Sequence, residues 1–404
     1  MKSFKYLNLN SVAALIIATP FLMVLSRNIA SPVFVVVTTM LAAIAWKEQG
    51  PDRLFRSIKI LATSKVTAVF VLLILFMAAS SSWSTSLVRG LESTAHLAGN
   101  LLMFALSLAA LAVLDLRLSL RSWVLPLALI AAAAIILCEL HLGSPIRGQL
   151  GGSDEAFRMN RAAVAIVLFL PVTLTLLPKT FAFWVLRIVA LLAVGFAAFS
   201  SESESAKLAF VVVLVSFPVF LLLRIRGIWF LGGLVLLSLV AMPIIVPHLM
   251  SLIPQSVESQ LPYGSFGIRA DIWSAHASLL INSPILGHGV EASIMAAEDY
   301  KNSGIPELFL IWGHPHNFAI QVWYELGLIG VVLFSGLVYL FFRSLREVPD
   351  VFLPALLTTA TAVWAVSLVS HGAWQAWWWC LIALLSLLWL IELQNVEKRK
   401  EEPN

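Results

Sequence analysis

Apolar runs close to the ~20 residues that a helix needs to cross a bilayer recur from one end of the chain to the other. They predict spans at roughly 11–27, 30–46, 65–82, 95–114, 122–140, 161–178, 182–199, 207–223, 228–246, 317–342, 351–370 and 374–394. Most connections are too short to hold a soluble domain. The exception runs from Pro247 to His316. The expected fold is an all-α polytopic membrane protein of about twelve transmembrane helices, with a long segment between spans nine and ten. The chain divides into residues 1–246 (nine spans), 247–316 (the long segment) and 317–404 (three spans and a tail).

Composition agrees with this pattern. Of 404 residues, 60% are hydrophobic and 12% charged, where a soluble domain carries about 25% charged. Charge placement then sets orientation. With the N-terminus inside, 18 of the 26 Lys and Arg fall in inner connections, from Lys2 and Lys5 to Lys398, Arg399 and Lys400. That bias favours both termini in the cytoplasm and the long segment outside, which in a bacterium is the periplasm. Lys2 and Lys5 before the Val12–Leu25 run resemble a signal peptide, but no small-x-small cleavage site follows, so this run reads as the first span. Cys138 and Cys380 sit in apolar runs and form no CxxC or disulfide framework.

The long segment is not a polar tether. Ile268 to Leu280 reads as an amphipathic helix, and Asn282–Gly289 as a Gly- and Pro-punctuated loop. It ends at His314-Pro-His-Asn. Pro315 suits a first helical position, which puts His316 in the first turn of span ten. A helix N-terminus disfavours added positive charge and helps keep an imidazole neutral, as a general base requires. Asn317 and Gln321, at i and i+4, share a face and could orient the imidazole or a sugar hydroxyl. A histidine at such a place can equally do no more than bind loop backbone.

A second group is cationic. Arg158 and Arg161 open span six, Lys207 opens span eight and Arg269 opens the loop helix. Cations at a membrane edge often only snorkel. Four on one side could instead converge on a phosphate or pyrophosphate, which guanidinium groups grip bidentately. Glu202 and Glu204 form an ExE that suits a solvated turn or a divalent cation. Trp374 and Trp377–Trp379 read as an interfacial aromatic belt, with sugar stacking the alternative. His371 and Gln375 have no assigned role. No P-loop, HExxH or DxD motif is present, so no ATP engine or metal centre is expected.

Gly267-Ile-Arg269-x-x-Ile-Trp273, Ser283-Pro-Ile-Leu-Gly287-His-Gly289 and His316-Asn317-x-x-x-Gln321-x-x-x-Glu325-Leu-Gly327-x-x-Gly330 occur in that order. Together they resemble the O-antigen ligase/polymerase superfamily of bacterial envelope proteins, over about residues 150–342. The resemblance implies a fold related to membrane-embedded C-type glycosyltransferases and a multi-pass protein of the bacterial inner membrane, with its site on the periplasmic side. It implies metal-independent, inverting glycosyl transfer without a cofactor. The donor would be an undecaprenyl-pyrophosphate-linked glycan and, for a ligase, the acceptor the lipid A–core oligosaccharide. Membrane lipids, not nucleic acid, would be the surroundings. His316 matches the motif histidine, Arg269 the loop-helix arginine and Arg161 the basic residue of a mid-chain span; Lys207 matches loosely and His314 is extra. On this resemblance His316, Arg269 and His314 are the catalytic candidates, with Arg161, Arg158, Lys207, Asn317 and Gln321 binding substrate. Polymerase and protein O-oligosaccharyltransferase members share the pattern. A lipid-linked glycan transporter is the reading of another class, but it would carry charge deep in its spans.

Overall fold

A computed structural model describes residues 8–115, 123–149, 155–176, 180–251 and 266–401. The inner cations Lys2, Lys5, Arg117, Arg121 and Lys179 and the stretch 252–265 lie outside the described residues. Within them the protein is all helical. In chain order the long helices are α1 (Leu9–Leu25), α2 (Ala30–Gln49), α3 (Pro51–Ala62), α4 (Lys65–Ser80), α5 (Leu87–Val113), α6 (Val124–His141), α7 (Asn160–Leu176), α8 (Phe181–Ser200), α9 (Glu204–Leu223), α10 (Arg226–Ser251), α11 (Phe266–Leu279), α12 (Phe318–Ser344), α13 (Leu353–Val369) and α14 (Ala376–Glu401).

Among the described residues, nine helices are long and apolar enough to cross a membrane. The apolar helix α4 meets α3 at a bend of 68°, and α1 and α13 are shorter apolar helices. The protein is therefore a multi-pass membrane protein. Each predicted span has a helix over most of its length. The element missed from sequence is α3. Its polar face carries Arg53, Arg56 and Lys59, which make it look like a connection, yet Leu54, Ile58 and Leu61 at helical spacing seat it on the bundle.

α7 is the centre of the bundle. From Ala162 to Leu170 every residue is buried, and α1, α6, α8, α9, α13 and α14 pack around it. Burying one helix on all sides calls for small residues that let neighbours approach, because lipid offers no hydrophobic gain for association. Ala162, Ala163 and Ala165 supply that. Arg161 thus projects from the end of the most tightly held helix.

α12 is broken, and the break explains two of the glycine motifs. Gly327 (φ 57°, ψ −158°) has a conformation open essentially to glycine alone. The carbonyls freed at Tyr324 and Glu325 accept the backbone N–H groups of His288 (2.8 Å) and Gly289 (2.9 Å). On the other side of the break, the N–H groups of Leu328 and Ile329 donate to the carbonyls of Pro284 (2.9 Å) and Ile285 (3.3 Å). The 284–289 turn therefore replaces the helix's own ladder where no water could. A Cβ on Gly287 would run into the Glu325 carbonyl, and one on Gly327 into that of Ile285.

Candidate functional site

The ends of α7, α9, α11 and α13 enclose a cavity of about 240 Å³. Arg27, Arg158, Arg161, Glu204, Arg269 and His371 are among the residues that line it. Arg161 donates to Asn28 Oδ1, and its guanidinium carbon lies 4.3 Å from the Trp377 ring centroid. Arg158 stands on a short 3-10 turn before α7 rather than on the helix itself, and pairs with Glu155 at 3.1 Å. Arg269 reaches the same cavity from α11. Lys207 does not line it and pairs with Glu204 at 2.9 Å. The structure thus brings together three of the four predicted cations and adds Arg27. In sequence Arg27 looks like an ordinary loop arginine between the first two spans.

His316 lies outside the helix, one residue before the cap, and not in its first turn as expected. Asn317 displaces it: as N-cap, its Oδ1 accepts from Ile320 N at 3.1 Å, the contact for which asparagine is favoured there. His316 takes φ 52°, a left-handed backbone uncommon outside glycine. Its Nδ1 lies 2.9 Å from the Ser370 carbonyl, next to His371 on the cavity wall. A carbonyl only accepts, so Nδ1 carries the proton and a neutral ring keeps its lone pair on Nε2. Burial lowers the pKa of His316 from 6.5; the Ser370 bond opposes this and the Arg269 charge adds to it.

His314 is placed differently. Its ring centroid is 4.1 Å from that of His316. Its Nδ1 accepts the backbone N–H of His316 at 3.2 Å. The Nδ1 lone pair is thereby spent, and Nε2 faces the side-chain amide nitrogen of Gln375 at 3.4 Å. Burial, with the neighbouring His316 and His276, pushes its pKa down to about 3. Of the two histidines, His316 has the geometry of a base and His314 that of a support.

Gln321 and Asn317 are both buried. Gln321 Oε1 accepts from Ala373 N at 2.8 Å, and its Nε2 donates to Glu325 at 3.0 Å. Glu325 is fully buried. Its carboxylate also accepts from Glu291 N (2.8 Å), Ser293 Oγ (2.6 Å) and Trp374 Nε1. This hub ties the 284–293 loop, α12 and the 370–375 loop together behind the histidines. Trp374, Trp377 and Trp378 are correspondingly buried rather than arrayed as an interfacial belt, because each has a partner inside. Trp377 and Trp378 pack against His371, at 4.6 and 5.0 Å between centroids. Sequence assigns His371 no role; only its place between Ser370 and the tryptophan run hints at the site. Burial, with the nearby Arg161, holds it well below the usual histidine range.

Glu202 and Glu204 both line the cavity, with Glu204 engaged by Lys207. Among the described residues no three His, Cys, Asp or Glu are grouped as metal ligands.

Known proteins are similar to this chain over part of its length. A family model described as O-antigen ligase matches residues 188–335. A protein of Rickettsia prowazekii, provisionally named a polysaccharide ligase, is 30% identical over 192 residues, 44% of each chain. A similarly named protein of Rickettsia typhi is 31% identical over 138 residues, covering 32% of this chain and 31% of its own. One of Rickettsia conorii is 28% identical over 137 residues, with the same coverage. The chain spans less than half the length of the curated relatives it matches. The matched stretch holds Arg269, the 284–289 turn and His316 with its helix, and over it this chain is similar to the O-antigen ligase family.

Proposed function

We propose that this protein is a glycosyltransferase of the ligase type. It moves a glycan from undecaprenyl pyrophosphate to the lipid A–core oligosaccharide at the periplasmic face of the inner membrane. The observation that carries the proposal is His316, with Nδ1 held by the Ser370 carbonyl and Nε2 left basic, beside a cavity where Arg161 and Arg269 meet. His316 Nε2 takes the proton of the acceptor hydroxyl as its oxygen bonds to the anomeric carbon. The bond from that carbon to the pyrophosphate oxygen breaks, and the leaving group takes the electron pair. The arginines stabilise the charge that develops there, and such electrostatic stabilisation usually contributes more to catalysis than any other single effect. The donor arrives activated, so ATP is not consumed.

Purified protein given lipid-linked donor and glycan-free lipopolysaccharide should yield lipid A–core capped in one step. Growth of the glycan on its own carrier would make it a polymerase; no new product would remove the transferase reading. A cysteine at Ser303 should react with a membrane-impermeant thiol reagent from the periplasm and one at Ser344 should not. The reverse labelling would overturn the topology.

A further inference from the structure

A second charged cavity lies at the opposite end of the bundle. It holds about 660 Å³ and is lined by Lys65, Leu340, Arg343, Arg346 and Glu347. α4 runs from Lys65 to Ser80, whose hydroxyl accepts from Val290 N just after the 284–289 turn. At 1.5 Å per residue the helix separates Lys65 from that end by roughly 20 Å. α12 likewise starts beside His316 and ends at Arg343 and Ser344. This second cavity therefore sits at the end of α12 away from His316.

We infer that this cavity holds the phosphate of an anionic phospholipid headgroup, and so is a lipid site separate from the histidine site. Lys65 on α4, Arg343 on α12 and Arg346 on the 3-10 turn after α12 meet in one space, and none has an ion pair within 4 Å among the described residues. Glu347 shares the lining but pairs with none of them. Three cations against one carboxylate leave the cavity net positive, and an external anion completes it. The level in the bilayer identifies the source. α3 ends three residues before Lys65, with Arg53, Arg56 and Lys59 on its polar face, Phe55 58% and Ile60 65% exposed at its flanks, and a 68° bend into α4. A helix of that kind lies in the interface plane, not in hydrocarbon. Lys65 is therefore at headgroup depth, and Leu340 gives the cavity an apolar side facing the acyl region.

The test uses the full-length protein, delipidated in detergent. Native mass spectrometry and quenching titrations would compare phosphatidylglycerol, phosphatidylcholine and inorganic phosphate. The wild type should hold phosphatidylglycerol at least about tenfold tighter than phosphatidylcholine. The triple variant Lys65→Gln, Arg343→Gln, Arg346→Gln should lose that preference. The charge-keeping variant Lys65→Arg, Arg343→Lys, Arg346→Lys should retain it, which separates loss of charge from loss of fold. Equal binding by wild type and the glutamine variant would overturn the site. Displacement of the lipid by inorganic phosphate, with the same dependence on the three cations, would overturn the lipid source in favour of a soluble phosphate.

Discussion

Replacing His316 separates chemistry from stability in a way that the backbone makes measurable. His316→Ala removes the proposed Nε2 base, and general-base catalysis is worth about 10²–10⁴ in rate. That is about 3–5 kcal/mol of barrier. It also removes the 2.9 Å bond to Ser370 O, worth about 1 kcal/mol of stability. His316→Gly removes the same bond but relieves the φ of 52°, which costs a side-chain-bearing residue about 1–2 kcal/mol. The glycine variant should therefore be as stable as wild type, or slightly more so, and still be slower by at least about 100-fold. Single-turnover transfer, alongside thermal unfolding in detergent, reads both effects. The pH profile adds a sign. If His316 is the base, the neutral ring is the active form, so rate is full above the pKa and falls as pH drops through it. Burial and Arg269 lower that pKa, which puts the acid limb of wild type below 6.5. Arg269→Gln removes the cation and should move the limb upward in whatever activity remains. A glycine variant with more than about a tenth of wild-type turnover would refute the base assignment. A wild-type acid limb above 6.5 would refute the buried, cation-facing environment.

Arg269→Lys should rescue transfer poorly compared with wild type, because lysine keeps the charge and loses the bidentate fork; full activity in a steady-state assay would mean that Arg269 acts as a point charge only. Gly327→Ala should destabilise the protein by about 2 kcal/mol or more, since alanine cannot hold φ 57°, ψ −158° without strain and its Cβ meets the Ile285 carbonyl; an unchanged midpoint in thermal unfolding would mean that the break in α12 is not needed. Transfer should survive EDTA, and loss with rescue by Mg²⁺ would assign Glu202 and Glu204 to a metal.

Hydrophobic length makes the spans legible, because a buried or lipid-facing helix needs an apolar run and little else. α3 is not legible by that rule, since an interfacial helix keeps its charges and only its Leu54, Ile58, Leu61 spacing gives it away. The motif residues Arg269, His316 and Arg161 are legible by charge and position, although nothing local says that Arg161 and Arg269 line one cavity with His316 beside it. What they share is set by the 370–375 loop, which supplies the Ser370 carbonyl and His371 from more than fifty residues downstream of His316. The glycines of the 284–289 turn and of α12 signal that the backbone does something unusual. That each answers the other's unpaired hydrogen bonds appears only once both are seen together. Trp374 reads as a belt residue because an indole gives no sign in sequence of the carboxylate it will find, here Glu325.

The anomeric configuration of the bond formed tests the central claim most directly. A hydroxyl deprotonated by His316 and attacking opposite a pyrophosphate held by Arg161 and Arg269 inverts the donor's configuration in one displacement. Purified protein, with a donor of defined anomer and lipid A–core as acceptor, should give a product whose linkage, read by NMR, is inverted. A retained linkage, or no linkage to the core at all, would contradict it.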